Sequence, residues 1–410
     1  MRIAVVGAGI VGVSCALHLQ RDGHSVTLID PRAPGTATSF GNAGAIVTGA
    51  VVPLSTPGLW RDMPRILFNP DSAVRLRWRY LPQLLPWLMR FLSAGRPVRV
   101  AAIADALQPL VSRAYDAHRE LIGWSGADGL VRPVGWLKVY ETETAFAATR
   151  QDRDMMTTRN VRLEILDTDE IRQLEPSLAR RYVKGLFEPD CGFVALPHKL
   201  VQAHAAHFQH LGGTIAQERV RGVQPTNPGV RLDCELGFRD FDAVVIAAGA
   251  WSKEFARQVG DHVLLDTERG YHLNLDPGKA GELRRPVVFP ERGFVLAPML
   301  DGIRLTSGVE LAGLHAPPDF SRIRRLLPAA REALPGLSDR VTREWLGYRP
   351  STPDSLPVID QSPRSDAMFY AFGHQHLGLT LGPITGRLIA ALVAGRQPDF
   401  DLSPYRAERF

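Results

Sequence analysis

Cysteine is scarce: the 410-residue chain has three, Cys15, Cys191 and Cys234, far apart and without a CxxC pair. That excludes a disulfide framework and a cysteine-based zinc site, no metal is expected, and a reducing compartment is the default. The 37 Gly and 31 Pro follow no period, which excludes collagen-like and low-complexity chains. Charge of one sign is lacking too, because the net +5 is the small difference between 48 basic and 43 acidic residues. Only Arg75, Arg77 and Arg79, interleaved with Trp78 and Tyr80, form a basic-aromatic cluster. It reads as a solvated helix face, so nucleic acid is not an expected partner. No charged leader with a long apolar core precedes the first strand pattern at Ile3, and a cytoplasmic location is expected. The apolar stretch Tyr80 to Leu92 is short and broken by Pro82, Pro86 and Arg90, so it does not span a bilayer. It leaves room for peripheral contact with the inner face of a membrane.

What is present is a globular composition, 45% hydrophobic and 22% charged, in a chain long enough for two domains. Ile3 to Val6 is a continuous apolar run suited to a buried parallel strand, followed at once by Gly7-Ala8-Gly9-Ile10-Val11-Gly12. Helical spacing from Val13 to Arg21, a stop at Gly23 and a second apolar strand from Ser25 to Ile29 lead to Asp30. Strand, glycines, helix, strand and acid together form a βαβ dinucleotide fingerprint. The glycines allow a tight turn and close approach of backbone to a pyrophosphate, the helix N-terminus supplies free N–H groups, and Asp30 accepts from ribose hydroxyls. A 2'-phosphate would be repelled there, although Arg32 is close by. NAD and FAD fit this unit equally.

Thr36 to Ile46 is small, polar and glycine-rich, either an ordinary loop or a wrap for a long cofactor. Downstream, Pro197 to Gly212 reads as a helix, Thr214 to Val223 as a strand, and Phe241 to Ala248 as a buried strand ending in Gly249-Ala250-Trp251-Ser252. Met368 to Phe372 reads as a strand, Gly373 to Thr380 as a turn, and Pro383 to Ala394 as a helix.

Taken together, Gly7 to Gly12 with Asp30, Thr38 to Ile46, Val244 to Ser252, and Gly347 to Pro357 followed by Gly373 to Thr380 carry a resemblance. The chain resembles the FAD-dependent D-amino-acid oxidase superfamily. Within it, the likeness is to the bacterial D-amino-acid dehydrogenase small-subunit type and its glycine-, sarcosine- and hydroxyproline-oxidising relatives. The resemblance implies an α/β (α+β overall) fold, with a Rossmann-like FAD-binding domain interleaved with a substrate domain on a large antiparallel sheet. The FAD domain would be residues 1–75, 195–268 and 345–410, and the substrate domain 76–194 and 269–344. Half-buried alternation in Gly293 to Ala297 and Gly302 to Thr306 is compatible with that sheet. Helices from Trp60 to Leu110 would be an insertion, packed internally or contacting a membrane or another subunit.

The resemblance also implies site residues. FAD would meet Gly7, Gly9, Ile10 and Gly12 at the pyrophosphate, Asp30 at the ribose and Val220 at the adenine. Thr38, Ser39, Asn42, Ala43, Gly44 and Ile46 would run along it, and His376, Gly378, Leu379 and Thr380 would face its ring. The sarcosine-oxidising branch attaches flavin through a C-terminal cysteine; none follows Cys234, so FAD is expected to be non-covalent.

At the substrate end, Arg349 in Gly347-Tyr348-Arg349-Pro350 matches the arginine that holds a substrate carboxylate in relatives, as a planar guanidinium does through two parallel hydrogen bonds. Tyr271 and Tyr348 are further candidates, for hydrogen bonding to that carboxylate or as pocket walls, and His376 as an orienting or flavin-tuning group, with His374 either in that role or packing the loop. The implied reaction is oxidation of an α-amino acid, a D-isomer, with cyclic ones such as D-proline or hydroxy-D-proline among the candidates, by hydride transfer from Cα to flavin N5. The imino acid would then hydrolyse or cyclise, and electrons would pass to a quinone or an electron-transfer partner. An oxygen-using glycine or sarcosine oxidase, and a non-catalytic FAD-binding subunit of an electron-transfer complex, are the alternatives.

Overall fold

The computed structural model describes residues 1–61, 63 and 73–410. The elements that build the site are, in chain order, β1 (Arg2–Val6), α1 (Ile10–Arg21), β2 (Ser25–Ile29), α2 (Leu81–Ala94), α3 (Pro97–Val111), α4 (Ala114–Ser125) and α5 (Pro197–His210). They continue with β3 (Ala243–Ile246), β4 (Asp266–Leu275), β5 (Phe294–Met299), β6 (Gly302–Leu311), β7 (Val341–Ser351), β8 (Ser365–Phe372) and α6 (Gly378–Val393).

One sheet has the order Thr214–Ala216, β2, β1, β3, β8, Val358–Ser362. Its strands are parallel except the last, which runs antiparallel to β8. Every residue of β3 and all of β1 after Arg2 are buried, as continuous apolar strands covered on both faces must be. Helices α1 and α6 cross at close range on one face, because Gly386 leaves no side chain where a Cβ would come within 2.6 Å of the Ser14 backbone. The stretch Gln375–Val393 is long and apolar enough to cross a membrane, yet it is mostly buried and is the core helix of this unit.

Among the described residues the second sheet has nine strands in the order β7, β4, β6, β5, Val287–Phe289, Trp136–Tyr140, Lys184–Glu188, Glu164–Leu166, with Val74–Leu76 beside β6. It is antiparallel apart from two pairings, Val287–Phe289 with Trp136–Tyr140 and Val74–Leu76 with β6. The mixed α/β architecture, a Rossmann-like parallel sheet joined to a large mostly antiparallel one, is therefore as expected.

The segment bounds differ in four places. Val74 and Arg75, the start of β4 at 266–268, and residues 345–351 of β7 lie in the large sheet, although 1–75, 195–268 and 345–410 were assigned to the other unit. Helices α3 and α4, within 76–194, bury Ile103, Leu107, Leu110 and Leu121 in the same core as Ile3, Leu17, Leu200 and Leu388. Their apolar faces match α5 and α6, which local sequence does not reveal. Helix α2 buries Leu84 and Trp87 against Leu76 and Leu311 and leaves Leu85 and Met89 exposed. Trp87 donates its indole N–H to the Ser351 carbonyl at 2.8 Å, fixing α2 beside the end of β7.

Candidate functional site

A cavity of about 720 Å³ runs from the β1–α1 turn, past the N-terminus of α6, to one face of β4, β6 and β7. At its first end Gly7 has φ +111°, and a Cβ there would sit 2.4 Å from the Ala247 carbonyl oxygen, so the turn can pass beneath β3 only as glycine. The N-terminus of α1 faces the cavity through Gly9 and Ile10, with no acidic residue in its first turn. Ile10 donates its N–H to Ser39 Oγ at 3.0 Å. The Asp30 carboxylate accepts from the N–H groups of Ala8 and Arg32, both at 2.8 Å, which fixes it at the cavity edge with lone pairs to spare. Val220 lines the same end, between Arg219 and Arg221.

The loop after β2 forms a 3-10 turn over Thr38–Gly41. Thr38, Ser39, Asn42 and Ala43 line the cavity. The loop is held from the large sheet. Arg304 of β6, fully buried, donates through Nη1 to the carbonyls of Asn42 (2.6 Å) and Phe40 (3.2 Å) and through Nε to Asn274 Oδ1 (3.1 Å). His272 of β4 donates from Nδ1 to the intervening Gly41 carbonyl at 3.3 Å. Burial lowers the Arg304 pKa to about 10 and, with the Arg304 charge nearby, that of His272 to about 3. Arg304 and His272 were missed from sequence, although an arginine inside the alternating run Gly302 to Thr306 was a signal of an inward-facing cation.

Three expected contacts lie behind the wall instead. Ile46 is fully buried in the core, with Ala45 and Val47 at the cavity. The two-residue strand Ala45–Ile46 turns successive side chains to opposite faces. Gly12 packs α1 on the turn, where a Cβ would lie 1.8 Å from the Gly7 carbonyl oxygen. Gly44 has φ +80° and its carbonyl accepts from Val194 N–H at 2.6 Å, so it anchors the loop to its neighbour strand.

The second helix end is as expected in place. Gln375, His376, Gly378, Leu379 and Thr380 line the cavity where α6 begins. Thr380 Oγ1 accepts from Val47 N–H at 3.1 Å and donates to the Ala45 carbonyl at 3.4 Å, stitching α6 to the loop. His118 of α4 donates from Nε2 to the Leu379 carbonyl at 2.8 Å. His374 is buried and hydrogen-bonded through Nε2 to Thr385 Oγ1 at 2.8 Å. The His376 side chain is exposed to the cavity. The low-polarity protein around it, reinforced by the Arg349 charge, lowers its pKa, so it is neutral at physiological pH.

At the far end Arg349 of β7 faces the cavity. Its guanidinium lies over Gly270 of β4, where a Cβ would come 2.4 Å from Cζ, and Nη1 donates to the Gly308 carbonyl at 3.1 Å. Glu268 is its register partner on β4 and is buried; burial raises the Glu268 pKa, and the Arg349 charge opposes that rise. Trp345, two rungs along β7, also faces the cavity and stacks on His272 with centroids 5.0 Å apart.

Tyr271 and Tyr348 are not cavity walls. Strand side chains alternate, so with Arg349 facing in, Tyr348 faces out. There it meets Trp251 edge to face at 5.6 Å, and only its backbone carbonyl reaches the loop, accepting from Thr38 Oγ1 at 3.1 Å. Tyr271 likewise lies behind the sheet, donating to Glu310 Oε2 at 2.5 Å and lining a separate cavity of about 450 Å³. Among the described residues no group of three or more His, Cys, Asp or Glu is placed to hold a metal ion.

The free α1 N-terminus, the Asp30 carboxylate, the threaded loop and the α6 N-terminus suit a flavin dinucleotide in both length and polarity. Residues 2–392 match the family described as DAO, FAD dependent oxidoreductase. The chain is 36% identical to a D-amino-acid oxidase of Bradyrhizobium diazoefficiens over 420 residues, covering 100% of this chain and 98% of the relative. It is 28% identical to a D-amino acid dehydrogenase of Rhizobium rhizogenes, with both chains covered completely at 100%. Among solved structures, a glycine oxidase from Geobacillus kaustophilus superimposes with a TM-score of 0.76 at 23% identity, covering 100% of this chain and 99% of that one.

Proposed function

The chain belongs to the DAO family of FAD-dependent oxidoreductases, and from that premise we propose that it oxidises D-amino acids, cyclic ones such as D-proline and hydroxy-D-proline among them. The observation that carries this reading is Arg349, a cation opening only into the cavity, set beyond a dinucleotide-shaped groove. A carboxylate is the natural partner for its free guanidinium face, and two parallel hydrogen bonds would fix the position of the substrate's Cα. The full-length similarity to proteins named D-amino-acid oxidase and D-amino acid dehydrogenase supports the D-isomer.

When bound, FAD supplies the acceptor for the hydride that leaves Cα, and the amine nitrogen gives up a proton to water, leaving an imino acid. Gly9 and Ile10 would meet the pyrophosphate, Asp30 the ribose, and the Thr38–Ala43 loop the length of the cofactor. The N-terminus of α6 presents its positive end and first-turn N–H groups to the ring position. Neutral His376 orients without adding charge beside Arg349. Released imino acid hydrolyses in water or, where cyclic, stays closed. Attachment is proposed to be non-covalent: Cys15, Cys191 and Cys234 are all buried and none lines the cavity.

Electrons are proposed to leave to a quinone or another electron-transfer partner, with the protein cytoplasmic and peripheral on a membrane. From Ala73 to Ala104 the chain has Arg75, Arg77, Arg79, Arg90, Arg96 and Arg99 and no acidic residue, and Trp78, Leu85, Met89 and Val98 are exposed. Oxygen as acceptor is the second reading, favoured by the 36% identity to an oxidase.

The test is anaerobic mixing of the flavin-loaded protein with D- and L-amino acids, D-proline, hydroxy-D-proline, glycine and sarcosine while following flavin absorbance. Bleaching by D-isomers supports the proposal, and admitting air then separates peroxide-forming oxidase from dehydrogenase. Bleaching by none would move the reading to a non-catalytic flavin subunit.

A further inference from the structure

We propose that the cavity of about 450 Å³ behind the large sheet is a second ligand site, for a small organic acid with a carboxylate head and an apolar body, and that its occupancy is coupled to Arg349 through the Gly308 carbonyl. The site lies across the sheet from the cofactor cavity: Thr306 lines one and Ser307 the other, as successive strand residues must. Its outer side is built by the helices Ser321–Arg324 and Leu327–Ala333. Ile323, Leu326, Ala329 and Val309 give it an apolar lining. The charges around it leave an excess of cation. Each lining carboxylate is already held by the protein. Glu310 accepts from Arg77 Nε (2.7 Å) and the Tyr271 hydroxyl (2.5 Å) and pairs with Arg269 Nη1 (3.2 Å). Asp319 is held by Arg75 and the Ser321 hydroxyl, and Glu291 by the Glu141 N–H and the Thr142 hydroxyl. Arg75, Arg77 and Arg269 thus share two carboxylates, and Arg269 is fully buried with no hydrogen bond to its guanidinium. Arg325 lines the cavity from an exposed position, and its guanidinium has no partner among the described residues. An unpaired cation beside buried positive charge draws a carboxylate, and the apolar lining takes its body.

The coupling follows from a bulge in the sheet. Arg269 pairs with Glu310 and Tyr271 with Ser307, so β6 carries one residue more than β4 between these rungs. Gly308 lies in that bulge with φ +81° and lines the second cavity, while its carbonyl accepts from Arg349 Nη1 at 3.1 Å. Gly270, across the bulge on β4, lines the cofactor cavity. Two glycines therefore stand between the cavities, and a ligand that shifts the bulge moves the acceptor that seats Arg349. The 2-oxo acid formed when an imino product hydrolyses is one anion of the proposed class, and an unrelated carboxylic acid of the same size is another source.

Equilibrium dialysis of the flavin-loaded protein against radiolabelled 4-methyl-2-oxopentanoate and 4-methylpentanoate tests this without turnover. Arg349→Ala is expected to keep one binding site for these acids, the one behind the sheet. Arg325→Glu, at an exposed position away from the cofactor cavity, is expected to weaken that site about tenfold or more while FAD stays bound, and Arg325→Lys to restore most of it. Preference for the oxo acid by about tenfold would identify the reaction's own product class as occupant, and equal binding would show that the carboxylate alone is read. Coupling is reciprocal, so the affinity of the second site is expected to differ about threefold or more between Arg349→Ala and wild type. No binding to Arg349→Ala, or equal binding in Arg325→Glu and its parent, would overturn the site, and equal second-site affinity with and without Arg349 would overturn the coupling. A wild type that binds these acids only behind the sheet would instead sink the reading of Arg349 as the carboxylate anchor while leaving this site in place.

Discussion

The guanidinium of Arg349 rests over Gly270, a residue 79 positions earlier in the chain on the neighbouring strand, so closely that a Cβ at Gly270 would be 2.4 Å from Arg349 Cζ. The position of the proposed anchor is thus set by a missing side chain on another strand.

Gly270→Ala is accordingly expected to displace the guanidinium while leaving its charge in place. Apparent KM for the amino acid should rise about tenfold or more, with kcat affected less, since what is lost is positioning of the carboxylate before the chemical step. Steady-state kinetics with unchanged KM would contradict the assigned geometry.

Arg304 holds the Phe40 and Asn42 carbonyls, so Arg304→Ala leaves buried acceptors without donors, at a cost of about 1–3 kcal/mol each. Weaker FAD retention and a lower Tm are expected, with Arg304→Lys partly restoring both by supplying one donor. Flavin fluorescence on dilution and thermal unfolding measure the two effects, and wild-type FAD affinity in Arg304→Ala would refute the clamp.

Several histidines are kept neutral by burial. The pKa values of His374, His204 and His272 fall to about 3, and that of His118 to about 4. The unfolded chain takes up protons near 6.5 while the folded one does not, so stability rises with pH through this window and is lost as pH falls from about 6.5 toward 4. Each buried ring contributes at most about 1.4 kcal/mol per pH unit. Urea unfolding between pH 4.5 and 7 should show a steep decline on the acid side, made shallower by His374→Asn; a flat profile would mean these rings are charged in the folded protein.

For the proposed membrane contact, cosedimentation with vesicles containing anionic lipid is expected, weakening with salt because Arg79, Arg90, Arg96 and Arg99 carry the attraction, Arg75 and Arg77 being paired with Asp319 and Glu310. Leu85→Asp with Met89→Asp should reduce binding several-fold without loss of FAD. Equal binding to zwitterionic vesicles, or none to either, would remove this contact.

The nucleotide end was legible in the chain because its determinants are local. A buried apolar strand, a glycine turn and a helix start lie within twelve residues, and hydrogen bonding and sterics over that span decide their geometry. The α6 turn was legible for the same reason. Ile46, Tyr271 and Tyr348 were misplaced because motif position does not say which way a strand side chain points; one residue of register moves it to the opposite face.

By itself, then, the sequence determined the dinucleotide groove, which follows from short-range patterns, while the large antiparallel sheet and Arg349 as the candidate anchor came from the family resemblance. Tertiary structure alone decided the substrate end. The seating of Arg349 over Gly270, the stacking of Trp345 on His272 and the Arg304 and His272 clamp on the Phe40–Asn42 carbonyls depend on the registers of β4, β6 and β7, which join residues far apart in the chain. Those registers are selected by burying one whole sheet face at once, a cooperative choice to which no local stretch of residues is sufficient.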